Sequence, residues 1–272
     1  MLSAFLLSLR EGLEAALIFG ILLGAVKKMN RPDLKPAIWA GALVAILLSL
    51  LTGGLLTTVG ISLAGKAEQI FEGFTMLLAA GLLTWMIFWM NRQGRHLRAE
   101  LENNTRRAAL KSGRRALFGL AFLVVVREGV ELALFLMANV LVAQAGQTLL
   151  GALIGLIAAV VLGWLLFSTT RRLNLRRFFQ VTGLLLILFA AGLVAHGVHE
   201  FNEAGWIPVV IEHVWDMNPW LDENSTAGSL LKALFGYNGN PSLTEVLAYL
   251  AYFGLLLVGL RQQGKPAAPV LV

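Results

Sequence analysis

Two stretches of the sequence place charged residues in the middle of long apolar runs. Residues 1–26 read MLSAFLLSLREGLEAALIFGILLGAV, and residues 116–143 read ALFGLAFLVVVREGVELALFLMANVLVA. An apolar run of about 20 residues is long enough for a helix to cross a bilayer. Each run carries the pattern Arg-Glu-Gly-x-Glu in its interior. Both stretches therefore predict membrane-spanning helices that hold charged side chains inside the membrane.

The composition of the whole chain agrees with an integral membrane protein. Apolar residues make up 57% of the 272 residues, charged residues make up 14%, and the mean hydropathy is +0.74. Soluble domains contain roughly 25% charged residues, so this composition argues against a soluble enzyme or a disordered chain. The chain contains no cysteine, which excludes disulfides, thiolate metal sites and cysteine nucleophiles.

Five further apolar stretches raise the predicted number of spans to seven. The spans are predicted at residues 1–26, 37–61, 70–90, 116–143, 149–168, 178–197 and 242–260. Their apolar runs are continuous and do not alternate, so they predict helices and not barrel strands. We expect one all-α transmembrane domain over residues 1–272, with a folded outer segment at about 200–241 and a loose tail at 261–272. Ser242 and Glu245 predict a capping box at the start of the seventh span.

The distribution of basic residues predicts the direction of threading. With the N-terminus outside, 18 Lys and Arg residues lie in the inner segments, and only Lys66 and Lys232 lie in the outer ones. Cytoplasmic loops carry the excess of basic residues in membrane proteins. The split predicts an N-out, C-in topology in a cytoplasmic membrane, with basic residues that contact lipid. We expect no nucleic-acid partner, and we expect the inner connector with Leu97, Leu101 and Leu110 to be partly helical.

The chain also carries the pattern of an internal duplication. The Arg-Glu-Gly-x-Glu motif recurs after 117 residues, the small residues Gly41, Ala45, Ser49 and Gly53 recur after 110, and Ala79-Ala80-Gly81-Leu82 recurs after 111. We interpret this as a three-helix unit at about 1–90, repeated at about 116–199, plus one extra helix. A unit with three spans must be inverted when repeated, and inverted repeats are common in transporters, with the substrate near the midplane.

The two motifs place six ionisable side chains near the middle of the membrane. They are Arg10, Glu11, Glu14, Arg127, Glu128 and Glu131. At roughly 3 kcal/mol each, their insertion costs on the order of 15–20 kcal/mol before pairing. Each arginine precedes the second glutamate by four residues and can pair with it, which leaves one carboxylate over in each motif. The four glutamates are candidate ligands of a hard cation such as iron, Mn²⁺, Mg²⁺ or Ca²⁺, and the arginines balance their charge.

A second group of candidate ligands lies at the predicted outer ends of spans three and six. Its members are Glu68, Glu72, His196, His199, Glu200 and Glu203. One interpretation is a vestibule that concentrates cations before they enter the membrane. The alternative is an ordinary solvated rim of charged helix ends.

The paired motifs in the first and fourth spans resemble those of the oxidase-dependent iron permeases, which include the fungal high-affinity iron permease and the bacterial EfeU-type permeases. The resemblance extends to Phe71-Glu72-Gly73 and Glu203-Ala204-Gly205. It implies a transporter, not an enzyme, with iron as substrate and no permanently bound cofactor. It also implies that the two motifs form the translocation site. The family works with a multicopper ferroxidase, or with a periplasmic iron-binding protein and a haem peroxidase.

An iron permease is thus the leading hypothesis, in which rocking of the inverted halves exposes the site to each side in turn. A transporter of another divalent cation, or a proton-coupled cation transporter, would use the same carboxylates. A membrane scaffold held together by structural salt bridges is a third hypothesis. Uptake of specific metals separates the first two, and normal uptake after removal of the charges would favour the third.

The predicted topology can be tested with single cysteines, because the chain has none of its own. A cysteine at Gly94 should react with an impermeant thiol reagent only from the inside, and a cysteine at Asn224 only from the outside. Labelling of intact and opened cells measures this. The reverse pattern would contradict both the N-out topology and the outer vestibule.

Overall fold

The computed structural model is all-helical over the residues that it describes, which are 1–93, 103–107, 109, 113–168, 175–223 and 225–263. Each of the seven predicted spans is a helix. The helices are α1 (Leu2–Lys28), α2 (Lys35–Ser62), α3 (Lys66–Gln93), α4 (Gly113–Val142), α5 (Ala145–Ser168), α6 (Leu175–Glu203), α7 (Thr226–Phe235) and α8 (Leu243–Gln263). A short 3-10 helix, Pro32–Leu34, precedes α2.

Five of these helices are long and apolar enough to cross a membrane. The candidate spans are Pro32–Gly60, Lys66–Trp89, Ala145–Leu166, Arg177–Glu203 and Leu243–Gln262. The chain is therefore a multi-pass membrane protein. The two remaining long helices, α1 and α4, have similar lengths but carry the charged motifs in their interiors.

The helices of the two predicted repeats pack across one another. Helix α1 packs along α5, α2 packs along α4, and α3 packs along α6, while α1 and α4 meet at the centre. The asparagine Asn139, near the end of α4, donates a hydrogen bond to the Ser3 hydroxyl near the start of α1, so these two helices are antiparallel. Gln69 at the start of α3 bonds to Glu203 at the end of α6, so that pair is antiparallel too.

Small residues allow the crossing helices to touch backbone to backbone. A Cβ added at Gly41 of α2 would collide with the Phe118 carbonyl of α4, and one added at Gly151 of α5 would collide with the Met1 carbonyl before α1. The rows of small residues in the second and fifth spans therefore do permit close packing, as the sequence predicts. Both contacts join helix starts, so α2 is parallel to α4 and α1 is parallel to α5.

The largest group of buried apolar residues fills the space between α1, α3, α4, α6 and α8. Leu7, Met76, Phe135, Leu186 and Tyr252 belong to it. The charged motifs of α1 and α4 border this group, because Leu7 lies one turn from Glu11 and Phe135 lies one turn from Glu131. The motifs thus lie next to a buried apolar layer.

The segment between α6 and α8, for which the sequence predicts a folded outer segment, contains helix α7. Ser225 caps the N-terminus of α7 by accepting a hydrogen bond from the Gly228 amide at 3.0 Å. The helix ends at Gly236, which has φ +67° and lies directly against Gly192 of α6. Helix α7 also touches α1 and α4, so it lies over one end of the central bundle.

The start of α8 confirms the predicted capping box. The Ser242 amide donates to a Glu245 carboxylate oxygen at 3.1 Å, and the Glu245 amide donates to the Ser242 hydroxyl at 3.3 Å. The predicted loose tail starts too early, because residues 261–263 continue α8. The rest of the tail, and Leu97, Leu101 and Leu110 of the inner connector, lie outside the described residues, whereas residues 103–107 are helical.

The close contact of α2 with α4 predicts that alanine substitution destabilises the protein at one glycine of α2 and has little effect on stability at another. Gly41→Ala should push the helices apart and lower the free energy of unfolding by about 1–3 kcal/mol, as overpacking does. Gly54→Ala is the matched control, because no atom outside its own helix lies within 4 Å of an added Cβ. Thermal unfolding in detergent measures both, and equal stability of the two variants would contradict the packing.

Candidate functional site

The two charged motifs meet where α1 and α4 cross. Arg10 and Glu11 are 1% exposed, Glu128 is 5% exposed and Glu131 is 9% exposed. Each motif continues a regular helix, so its residues at positions i, i+3 and i+4 share one face. The crossing therefore presents the glutamates of one helix to those of the other.

Three of the four predicted glutamates come together. Glu11, Glu128 and Glu131 each offer one carboxylate oxygen, and these three oxygens all lie within 4.8 Å of one another. Among the described residues, this is the group whose spacing suits a metal ion. Both carboxylate oxygens of Glu11, and one oxygen each of Glu128 and Glu131, are buried and accept no hydrogen bond in the described part of the chain. Buried carboxylates without donors are costly, and a bound cation would satisfy them.

The fourth glutamate, Glu14, lies outside this trio and is paired with an arginine. Arg10 Nε lies 3.3 Å from a Glu14 oxygen, and Arg127 Nε donates to a Glu131 oxygen at 2.9 Å. Both pairs have the predicted i, i+4 spacing. The prediction of one spare carboxylate per motif thus holds for Glu11 and Glu128, while Glu131 serves both its arginine and the trio.

The two arginines differ in their surroundings. The Arg10 side chain is 1% exposed, whereas the Arg127 side chain is 35% exposed. The Arg127 guanidinium carbon lies 4.8 Å from the ring centroid of Trp89 and 5.6 Å from that of Trp85. From the sequence, these two indoles of α3 are membrane-belt or packing residues, and no sequence signal links them to an arginine on another helix.

The glycine inside each motif packs against a helix other than the one that its position predicts. Because it lies between charged residues, its position predicts that it lets the two motifs approach each other. A Cβ added at Gly12 would instead lie 2.8 Å from the Ala159 Cβ of α5, and one added at Gly129 would collide with the Ser49 hydroxyl of α2. That expectation was wrong, because each glycine faces a helix of the other repeat and the glutamates project from another side.

The second group of candidate ligands lies where the start of α3 meets the end of α6. His199 Nε2 lies 3.2 Å from a Glu203 oxygen, and His199 Nδ1 lies 3.0 Å from a Glu245 oxygen. Glu68, Glu72, Glu200 and Glu203 are close enough to influence one another electrostatically. Three ligand atoms do not meet here as closely as in the central trio.

Three contacts of this region were missed in the sequence. His196 lies on the same helix but bonds to the Gly192 carbonyl at 3.0 Å, so it is held by its own backbone. Glu245 joins the group through His199, although its spacing to Ser242 indicates only a helix cap. Gln69 also joins it, by donating to Glu203 at 2.9 Å. The long-range contacts of Glu245 and Gln69 leave no periodic signal in a single sequence.

The geometry suits a hard cation that binds oxygen. Three carboxylates converge in a buried space, and two arginines on the same helices supply positive charge when no ion is bound. Oxygen ligands favour iron, Mn²⁺, Mg²⁺ or Ca²⁺ over softer metals. The trio consists of carboxylates alone, and such a donor set suits the binding of an ion.

Comparison with known proteins identifies similar chains. Residues 1–263 match the model of the iron permease FTR1 family. The chain is 38% identical over 251 residues to the ferrous iron permease EfeU of Escherichia coli O6:K15:H31 strain 536, and this covers 91% of each chain. It is 34% identical to the ferrous iron permease EfeU of Yersinia pestis, which covers 91% of this chain and 89% of the relative. No solved structure shows significant similarity.

The buried Arg10–Glu14 pair predicts a specific pattern of stability. Arg10→Met leaves a buried carboxylate without its partner and should lower the free energy of unfolding by about 3–5 kcal/mol. The double substitution Arg10→Met with Glu14→Gln removes both charges and should recover most of that loss. Thermal unfolding in detergent and the amount of protein in the membrane measure this.

The matched control is the exposed pair Arg31–Asp33, whose side chains are 49% and 44% exposed. Arg31→Met should leave the unfolding temperature close to that of the wild type, because exposed ion pairs contribute little to stability. An equal effect of Arg10→Met and Arg31→Met on stability would contradict the burial of the Arg10–Glu14 pair.

Proposed function

Because the chain belongs to the iron permease FTR1 family and imports iron, we propose that the iron ion crosses the membrane through the carboxylate trio of Glu11, Glu128 and Glu131. The chain is a transporter and not an enzyme, and iron is its substrate. The single observation that carries this proposal is the convergence of three buried carboxylate oxygens within 4.8 Å of one another.

The charges around the trio explain how three carboxylates can lie close together and bind a cation. Without an ion, three carboxylates this close raise the electrostatic energy of the empty site, and Arg10 and Arg127 offset part of it. A divalent ion that leaves its water behind exchanges hydration for carboxylate oxygens. Glu14 lies one turn further along α1 and is paired with Arg10. We therefore propose two roles for it: it balances the charge of Arg10, and it is a fourth ligand that the iron ion can gain or lose.

The packing of the helices supports an inverted repeat. In the predicted repeat, α1 corresponds to α4, α2 to α5 and α3 to α6. If each helix is replaced by its counterpart, the closely packed pairs α1–α5, α2–α4 and α3–α6 are the same set. Single contacts follow the same exchange: Gly12 faces Ala159, and Gly129 faces Ser49, which is the residue 110 positions before Ala159. We propose seven spans, with α1 and α4 crossing the membrane despite their charges, because they lie at the centre of this arrangement.

The threading that we propose is N-out and C-in, in a cytoplasmic membrane. The distribution of basic residues supports it, with 18 in the inner segments and two in the outer ones. In this orientation the group around Glu72, Glu200 and Glu203 lies at the outer surface. Its carboxylates would raise the local concentration of cations before they enter the helix bundle.

The relatives are named ferrous iron permeases, and this supports Fe²⁺ as the transported form. No ferroxidase chemistry is assigned to this chain, so any redox step belongs to a partner. A periplasmic or extracellular iron-binding protein, and a haem peroxidase or multicopper ferroxidase, remain predictions from the family resemblance. Transport of another divalent cation is the alternative that the same oxygen ligands allow.

The proposed site predicts the effect of single glutamine substitutions. Glu11→Gln, Glu128→Gln and Glu131→Gln each remove a charge and a strong metal ligand while they keep the shape of the side chain. Each variant should reach the membrane and, at iron concentrations near the wild-type half-saturation, take up iron at less than about a tenth of the wild-type rate, since loss of even a supporting partner of a metal ligand costs about 10- to 100-fold in affinity or activity. Uptake of labelled Fe²⁺ into proteoliposomes measures this.

Two control variants separate the trio from the rest of the protein. Glu212→Gln, at an exposed position of the outer segment, should leave uptake unchanged. Glu200→Gln should raise the half-saturation concentration and spare the maximal rate, if the outer group only concentrates iron. Normal uptake by all three trio variants would contradict the proposed site and favour the structural scaffold.

A further inference from the structure

We propose that Trp85 and Trp89 are positioning residues of the transport site, which hold the Arg127 guanidinium so that Glu131 presents one free oxygen to the iron ion. This inference rests on the proposed function of the carboxylate trio. It concerns two residues of α3 that belong to neither charged motif. Both indoles contact Arg127, and neither belongs to the trio of carboxylates, so they would act through Arg127.

The first step is the placement of the guanidinium. Arg127 Cζ lies 4.8 Å from the centroid of Trp89 and 5.6 Å from that of Trp85. The two indoles stack on each other, with centroids 6.4 Å apart and an angle of 25° between the rings. Cations within about 6 Å of an indole face are attracted by the ring, and this attraction is stronger away from water. The two rings together therefore fix one position of the guanidinium.

The second step is the effect on Glu131. With the guanidinium fixed, Arg127 Nε donates to one oxygen of Glu131 at 2.9 Å. The other oxygen of Glu131 is buried and accepts no hydrogen bond from the described residues, and Glu131 belongs to the trio. An arginine free to rotate could bind either oxygen or both, as a bidentate pair does. The indoles thus decide that one oxygen remains available for the ion.

The third step is the difference between the two arginines. Arg10 is enclosed by the protein, at 1% exposure, whereas Arg127 is 35% exposed and needs another means of restraint. The offset of 111 residues that relates α3 to α6 places His196 and Glu200 where α3 has Trp85 and Trp89. The aromatic pair therefore belongs to one half of the molecule, and the two motifs are not equivalent.

Substitution of Trp89 tests this inference. Trp89→Leu keeps an apolar side chain for packing or lipid contact but removes the ring face. It should raise the half-saturation concentration for Fe²⁺ uptake, and the dissociation constant of Fe²⁺ from the purified protein, by about 3- to 30-fold. Trp89→Tyr keeps a ring and should lie closer to the wild type. The double variant Trp85→Leu with Trp89→Leu should show the largest shift.

Trp164→Leu is the matched control, because Trp164 is an indole of a spanning helix that is 69% exposed and has no described contact with a charged group. It should bind and transport iron as the wild type does. Equal affinities of Trp89→Leu and Trp89→Tyr, or an effect of Trp89→Leu on protein amount alone, would overturn the positioning role.

A double-mutant cycle shows whether the indole acts through the arginine. In an Arg127→Gln background, Trp89→Leu should cause no further loss of Fe²⁺ affinity. A loss of the same size in both backgrounds would overturn the inference. Glu128→Gln separates this result from the proposed function: if it abolishes Fe²⁺ binding while Trp89→Leu has no effect, only the positioning role is rejected. Unchanged binding by Glu128→Gln rejects the proposed site itself.

Discussion

Burial of charge among apolar helices is the constraint on which this molecule depends. Arg10, Glu11, Glu128 and Glu131 are nearly inaccessible, although each would be strongly hydrated in water. They can remain there only if other charges or an ion compensate them, and only if the surrounding helices pack closely enough to hold them in place. Backbone contacts at Gly41 and Gly151 provide that packing, so the small residues and the charged motifs serve one purpose.

The features that follow from local spacing could be predicted from the sequence. The seven long helices follow from hydropathy, and the Arg10–Glu14 and Arg127–Glu131 pairs follow from the i, i+4 geometry of a helix. The cap formed by Ser242 is equally local. Features that depend on the rotation of one helix against another could not be predicted. The trio that excludes Glu14, and the surfaces that Gly12 and Gly129 face, are of this kind.

Some side chains carry two interactions at once, and a sequence pattern reveals at most one of them. Glu245 closes the capping box of α8 and also accepts a hydrogen bond from His199 of α6. The second group of candidate ligands is therefore connected to the fold of the segment that follows α6. Its charged side chains also form a contact between α6 and α8.

The contacts of Gly41 and Gly151 limit how the helices can move against each other. Helices whose backbones touch cannot slide past each other without first separating, since packed interfaces are bistable and do not deform continuously. The parallel pairs α1–α5 and α2–α4 each join helices from different repeats. The closest packing thus cuts across the predicted duplication. Under the proposed exchange of access, one mixed pair would move against the other, with Glu11 in one pair and Glu128 in the other.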